Sequence, residues 1–199
     1  MRLKRTKSEL KVQREALQRF RRFLPTLQLK KQQLQAEVRR VAHEREVQQN
    51  ELDRLRRERQ AWVGLFAEGP ALSDFLVLRR LETGWQHIAG VDVPVLKSLD
   101  IEERMPERFS LPVWVDDGLR ALRLELDHRI RLHLLERQEA LLAAELRVTS
   151  QRVNLFEKIK IPECRENIRR IRIALGDEQV AGVARGKLAK SRGESEDAA

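Results

Sequence analysis

"RVNLFEKIKIPECRENIRRI", Arg152 to Ile171, decides how the chain is read. Its apolar residues and charges read as a helix, yet Pro162 lies inside it. A proline removes one backbone hydrogen bond and crowds the carbonyl four residues back. The surrounding pattern favours a helix that passes through with a local kink. Upstream, Leu119, Leu122, Leu126 and Ile130 open the apolar face, and Leu134, Leu141, Val148 and Leu155 repeat every seven residues. Downstream, Ile168, Ile171 and Leu175 close it. Asp116 or Asp117 supplies the expected N-cap, and Gly176 the expected left-handed stop. The apolar residues cover more than one face, so surfaces beyond a single partner helix are expected to bury them.

A matching helix is expected near the other end of the sequence. Residues 8–61 contain no glycine and fit a heptad with Leu10, Leu17, Leu24, Lys31, Val38, Arg45, Leu52 and Arg59 at a. The d positions are Gln13, Phe20, Leu27, Leu34, Val41, Gln48, Leu55 and Trp62. Eleven of these sixteen are apolar in a chain that is 41% hydrophobic, so the helix has a face built to lie along a partner. Polar seam positions such as Lys31 penalise shifted pairings and help set register. Pro25 predicts a kink near Arg21 to Leu24.

Between the helices, Gly64, Gly69, Pro70, Gly84, Gly90, Pro94, Pro106 and Pro112 punctuate the sequence. The stretch Ser73 to Leu81 predicts a short helix with Ser73 as its cap. Gly84 to Glu103 and Arg108 to Val115 predict strands, with Gly90 at a turn or bulge and Pro94 and Pro112 at edges. The expected fold is mainly α: a long antiparallel two-helix coiled coil from the N- and C-terminal segments, with a small middle module containing a β-hairpin. Its parts are a helix over 1–61, the module over 62–116, a second helix over 117–175 and a flexible tail over 176–199. Two helices of about 60 residues would each span roughly 90 Å at helical rise. On that geometry Pro25 and Pro162 fall at a similar depth, within about 12 Å of each other.

The chain has 199 residues, 36% of them charged and 5% aromatic, and a net charge of +9. Its charge is uneven: residues 1–61 carry 18 basic and 8 acidic side chains, a balance of +10. Clustered cations suit nucleic acid, anionic lipid or an acidic protein surface. No apolar run approaches the roughly 18 residues of a membrane span, and no signal-peptide core follows the basic start. A cytosolic chain without direct membrane insertion is expected.

The motifs of catalysis and ligand binding do not assemble. Cys164 is the single cysteine, which excludes an intramolecular disulfide, and no spaced partners make it a metal site. His128 and His133 are five apart, off the spacing of a helical metal pair. Glu102 and Glu103 would point to opposite faces of a strand, not into one acid/base site. Ala181 to Ser191, "AGVARGKLAKS", nearly matches a phosphate-binding loop but has alanine for the first glycine, leucine for the hydroxyl residue, and no preceding strand. No catalytic, cofactor-binding or metal residue is expected, no cofactor is implied, and the chain is read as non-catalytic. From the residues alone, a nucleic-acid-binding coiled coil and a scaffolding coiled coil remain the alternatives. No aromatic platform accompanies the cations, so no nucleic-acid partner is expected.

The quoted segment also resembles the D subunit of V-type (A/V-type) ATPases. Arg152, Val153, Asn154, Glu157, Ile161, Pro162, Glu166, Asn167, Ile168 and Arg169 match that family's pattern in its second long helix. The block "LKKQQL", Leu29 to Leu34, looks like the Leu-Lys-x-Lys-Arg-x-x-Leu segment of its first helix, with Lys31 kept. Gly90 to Leu96 sits where the family has its β-hairpin module. Pro25 departs from the usual pattern and suggests a divergent bacterial branch.

The resemblance implies a central-stalk rotor subunit that transmits torque between the A/B ring, where ATP is hydrolysed or made, and the ion-translocating membrane rotor. It implies as partners the A and B ring subunits, the F subunit, and the funnel-like subunit on the membrane rotor ring. The chain would then be cytoplasmic and peripheral to the cell membrane. Arg152, Asn154, Glu157, Lys158 and Lys31 are the candidate subunit-contact or inter-helix residues, with Pro25 and Pro162 the kink positions.

Overall fold

In the computed structural model, residues 4–60, 64, 72–104 and 112–196 are described. Helix α1 spans Lys7–Arg59 and starts at a cap that its sequence encodes: Thr6 Oγ1 accepts the Glu9 backbone N–H at 3.3 Å. A 3₁₀ turn, Leu72–Phe75, leads into strand β1 (Leu76–Ile88), which pairs antiparallel with β2 (Val91–Glu103). Helix α2 spans Val115–Asn154, a π-helical segment covers Leu155–Lys160, and helix α3 spans Ile161–Glu196.

The chain divides into two compact units, Met1–Leu29 with Thr149–Ala199, and Lys30–Val148. In the first, α1 lies antiparallel to the C-terminal helical segments. Gln13 meets Asn167 at 3.4 Å, and the rings of Phe20 and Phe156 stand 4.9 Å apart at 54°. Val153, Ile161, Cys164, Ile168 and Ile171 are buried there.

In the second unit α1 and α2 also run antiparallel. Lys30 pairs with Glu145 at 2.7 Å, Arg45 with Glu139 at 3.0 Å, and Arg59 with Glu125 at 2.5 Å. Leu34, Val41, Val93 and Leu142 form its core, and the hairpin tip, Ile88 to Val91, packs onto them. A second cluster of Leu72, Val115 and Leu119 joins the 3₁₀ turn to the start of α2.

The α1 heptad reads through to burial. Leu34, Val41 and Leu52 are buried, and the other apolar seam residues from Leu10 to Leu55 are half-buried. Along α2 the seam runs one residue later than the sequence repeat suggests. Leu142, Thr149 and Val153 are buried, while Val148 and Leu155 are 38% and 40% exposed. Periodicity alone chose the neighbouring apolar row because Thr149 does not look like a core residue.

Several expectations are corrected. Leu76 to Leu81 is strand and not helix: thirteen residues of β2 provide a ladder for a partner of equal length, and this pairing overrides local helix propensity. Of the strand expected over Arg108 to Val115, residues 108–111 lie outside the described residues. Pro112 to Trp114 form a turn and Val115 begins α2. Helix α2 starts before Asp116 because Val115 is drawn into the cluster with Leu72 and Leu119. Asp116 and Asp117 then occupy the first turn, where acidic side chains suit the helix dipole.

Gly176 does not stop the helix, and α3 continues as helix over the segment expected to be a flexible tail. A Cβ at Gly176, Gly182 or Gly186 would meet nothing within 4 Å, and alanine, arginine, lysine and glutamate dominate their neighbours. Each glycine costs about 1 kcal/mol against alanine, which strong helix formers on both sides offset. At Pro25, α1 is uninterrupted. Arg21 and Pro25 are both exposed, so water can serve the carbonyl that the proline leaves without a donor.

Candidate functional site

The segment that carries the family-like motif folds around the π turn. Ile161 donates its backbone N–H to the Phe156 carbonyl, five residues back. Pro162 follows as the second residue of α3 and has no N–H to give the carbonyls of the π segment behind it. The Phe20–Phe156 contact lies between the two prolines. Pro25 stands five residues along α1 on one side and Pro162 six residues along on the other, about 16 Å apart by helical rise. The two prolines are therefore further apart in depth than the sequence suggested.

Arg152, Asn154, Glu157 and Lys158 are exposed, and Lys31 is half-buried in the second unit. Their side chains make no hydrogen bond or ion pair to another described residue. The structure thus brings four of the five into one exposed stretch of helix in the first unit, while Lys31 belongs to the second unit.

Sequence reading missed the polar contacts that do fix the helix pair. In the second unit Glu125 receives Arg59 at 2.5 Å, Arg129 at 2.6 Å and Arg56 at 3.7 Å. Burial pushes this carboxyl up, but the Arg59 hydrogen bond and the three guanidinium charges together hold it below the ordinary glutamate value. Buried Gln138 donates to the Pro94 carbonyl at 2.7 Å and ties β2 to α2. His128 Nδ1 lies 2.9 Å from Gln48 Oε1 across the seam. Only Arg59 and Gln48 among these were visible in the sequence, as polar interruptions of the heptad.

In the first unit, Glu166 accepts from Arg169 and Arg170 along α3, and these bonds bring its carboxyl down to about 2. Burial raises the Cys164 thiol above its ordinary value, with Glu163 adding to the effect. This suppresses the thiolate, in keeping with a packing role.

The hairpin is closed by Ala89 and Gly90, with φ of 49° and 82°. Two successive positive φ values match the tight turn whose twist suits an antiparallel pair. Lys97 is an extra residue on β2 opposite Glu82 and Thr83, and its side chain lies over Gly84, where a Cβ would stand 2.2 Å from Cε. Glycine there makes room for the lysine stem.

Among the described residues no group of three or more His, Cys, Asp or Glu side chains could hold a metal, and no helix is long and apolar enough to cross a membrane. What remains is a pair of antiparallel helices clad by one hairpin, with charge on its exposed faces. These features define a mainly helical, coiled-coil protein with a two-stranded hairpin in its middle.

Residues 9–191 match the family described as the D subunit of ATP synthase. The V-type ATP synthase D subunit of Borreliella burgdorferi is 40% identical, over 95% of this chain and 94% of its own length. Those of Chlamydia felis and Chlamydia abortus are 31% and 32% identical, each over 96% of this chain and 93% of theirs. The chain belongs to the ATP synthase D-subunit family, and within it to the V-type branch that the sequence motif suggested. Its role is that of one component of such a complex.

Proposed function

We propose that the chain is the central-stalk rotor of a V-type ATPase or ATP synthase and carries torque between the A/B ring and the ion-translocating membrane rotor. It is a non-catalytic subunit of that machine, peripheral to the membrane on the cytoplasmic side. It meets the A and B subunits in the ring, the F subunit beside it, and the funnel-like subunit at the membrane rotor. Membership in the D-subunit family supports a place in the complex.

The observation that carries the rotor reading is the outer surface of the first unit. Phe23, Ile159, Ile173, Val180 and Val183 are each at least half exposed, amid a dense array of arginine and lysine. Large apolar side chains at this density favour coverage by other chains. The basic residues keep the same surface hydrated and able to slide against polar loops. Arg152, Asn154, Glu157 and Lys158 belong to this surface and serve as subunit contacts. Lys31 acts within the seam to set register.

Co-expression with the A and B subunits tests the reading. Tagged chain should recover both ring subunits in one complex with ATPase activity. A chain that elutes as a monomer beside an intact A/B ring contradicts it. Arg152→Ala should reduce coupling of hydrolysis to ion transport, and unchanged assembly and coupling would remove Arg152 from the contact surface.

A further inference from the structure

The π segment has a reason that lies in the phase of the buried seam. Leu142, Thr149 and Phe156 are seven apart on the face turned to α1, with Leu146 and Val153 between them. Continued at the same spacing, this row would next bring Lys160, Glu163, Asn167 and Arg170 to the seam. All four are polar. The residues actually buried are Ile161, Cys164, Ile168 and Ile171, each one position later. A π turn takes up one residue more than an α turn, so Leu155–Lys160 restores the apolar row to the face it would otherwise leave.

The same segment is poorly held. Leu155 and Ile159 are 40% and 54% exposed. Pro162 can donate no backbone bond into the turn. Phe156 is the one side chain of the segment in ring contact with α1. A wide turn with few packed side chains and a missing donor opens more readily than the α-helix on either side.

We infer that Leu155–Lys160 is a built-in joint: a one-residue insertion that re-registers the seam and leaves a weakly bonded turn at which the helix pair flexes. Seam phase, and not Pro162, holds the insertion in place. Converting the turn to α-helix without removing a residue would carry Ile161, Cys164, Ile168 and Ile171 off the seam together. Removing one residue from the turn, in contrast, leaves those four facing α1 through a continuous helix.

Hydrogen exchange on the full chain tests this with three variants. In the unmodified chain, the amides of Lys160 and Ile161 should exchange at least about tenfold faster than those of Val153 and Ile168. Deleting Ile159 should remove that difference and leave the melting temperature equal or higher. Deleting Arg165, an exposed residue beyond the joint, should lower the melting temperature, because Ile168 and Ile171 then leave the seam. Pro162→Ala should keep the fast exchange at Lys160 and Ile161. The inference is overturned if those amides are as protected as their flanks in the unmodified chain. It is also overturned if deleting Ile159 destabilises as much as deleting Arg165, or if Pro162→Ala alone abolishes the fast exchange.

Discussion

Glu125 shows how one carboxylate can matter in a chain where most ion pairs are exposed. Its side chain is 13% exposed and that of Arg59 is 11% exposed. An acid so placed cannot be neutralised without stranding its partner, and Arg59 Nη2 already lacks a hydrogen bond among the described residues. Glu125→Gln should therefore cost about 2 kcal/mol in urea unfolding, more than loss of an exposed pair such as Lys11–Glu15. Because the folded carboxyl lies below its unfolded value, its contribution is fully present above the ordinary glutamate range near pH 4.3. It is lost as pH falls through the lower folded value. Glu166 behaves differently because it is open to water: its bonds to Arg169 and Arg170 predict a titration midpoint of about 2 by NMR. Substituting both arginines by alanine should return that midpoint toward ordinary glutamate, and a midpoint already near 4 in the unmodified chain would contradict the geometry.

Elements were legible where one signal dominated. The α1 seam could be read because leucine, valine and phenylalanine recur on a single heptad with few rivals. The hairpin could be read around Gly90 because the turn needs a residue that accepts positive φ. The start of β1 could not, since "LVLRRL" satisfies helix and strand patterns alike and only pairing with β2 decides between them. The expected stop at Gly176 failed for a related reason: glycine permits a left-handed cap but does not impose one. Gly176→Ala tests this directly. In a continuing helix with open space at the Cβ position, alanine should stabilise by about 0.8–1 kcal/mol. Were Gly176 a left-handed cap, the same substitution would destabilise the chain. The π turn was also written in the sequence, as the five-residue gap between Phe156 and Ile161 in a row otherwise spaced by three and four. The irregularity comes just before Pro162, the more conspicuous departure from a helical pattern.

For the molecule as a whole, what the sequence makes legible is a plan: paired helices, one hairpin, and an excess of charge. Family membership then assigns the chain to ATP synthase. The candidate contact residues Arg152, Asn154, Glu157 and Lys158 are polar positions beside the apolar stripe, and all four are exposed. Contacts made with other chains leave no mark in the folding of this one beyond exposed apolar side chains such as Phe23 and Val180.

Rotation is the most direct measurement of the central claim. With the A/B ring fixed to a surface and a probe attached to this chain near Trp85, which is 67% exposed, added ATP should drive stepwise rotation in one direction. A probe that stays still while the ring hydrolyses ATP would contradict the rotor assignment.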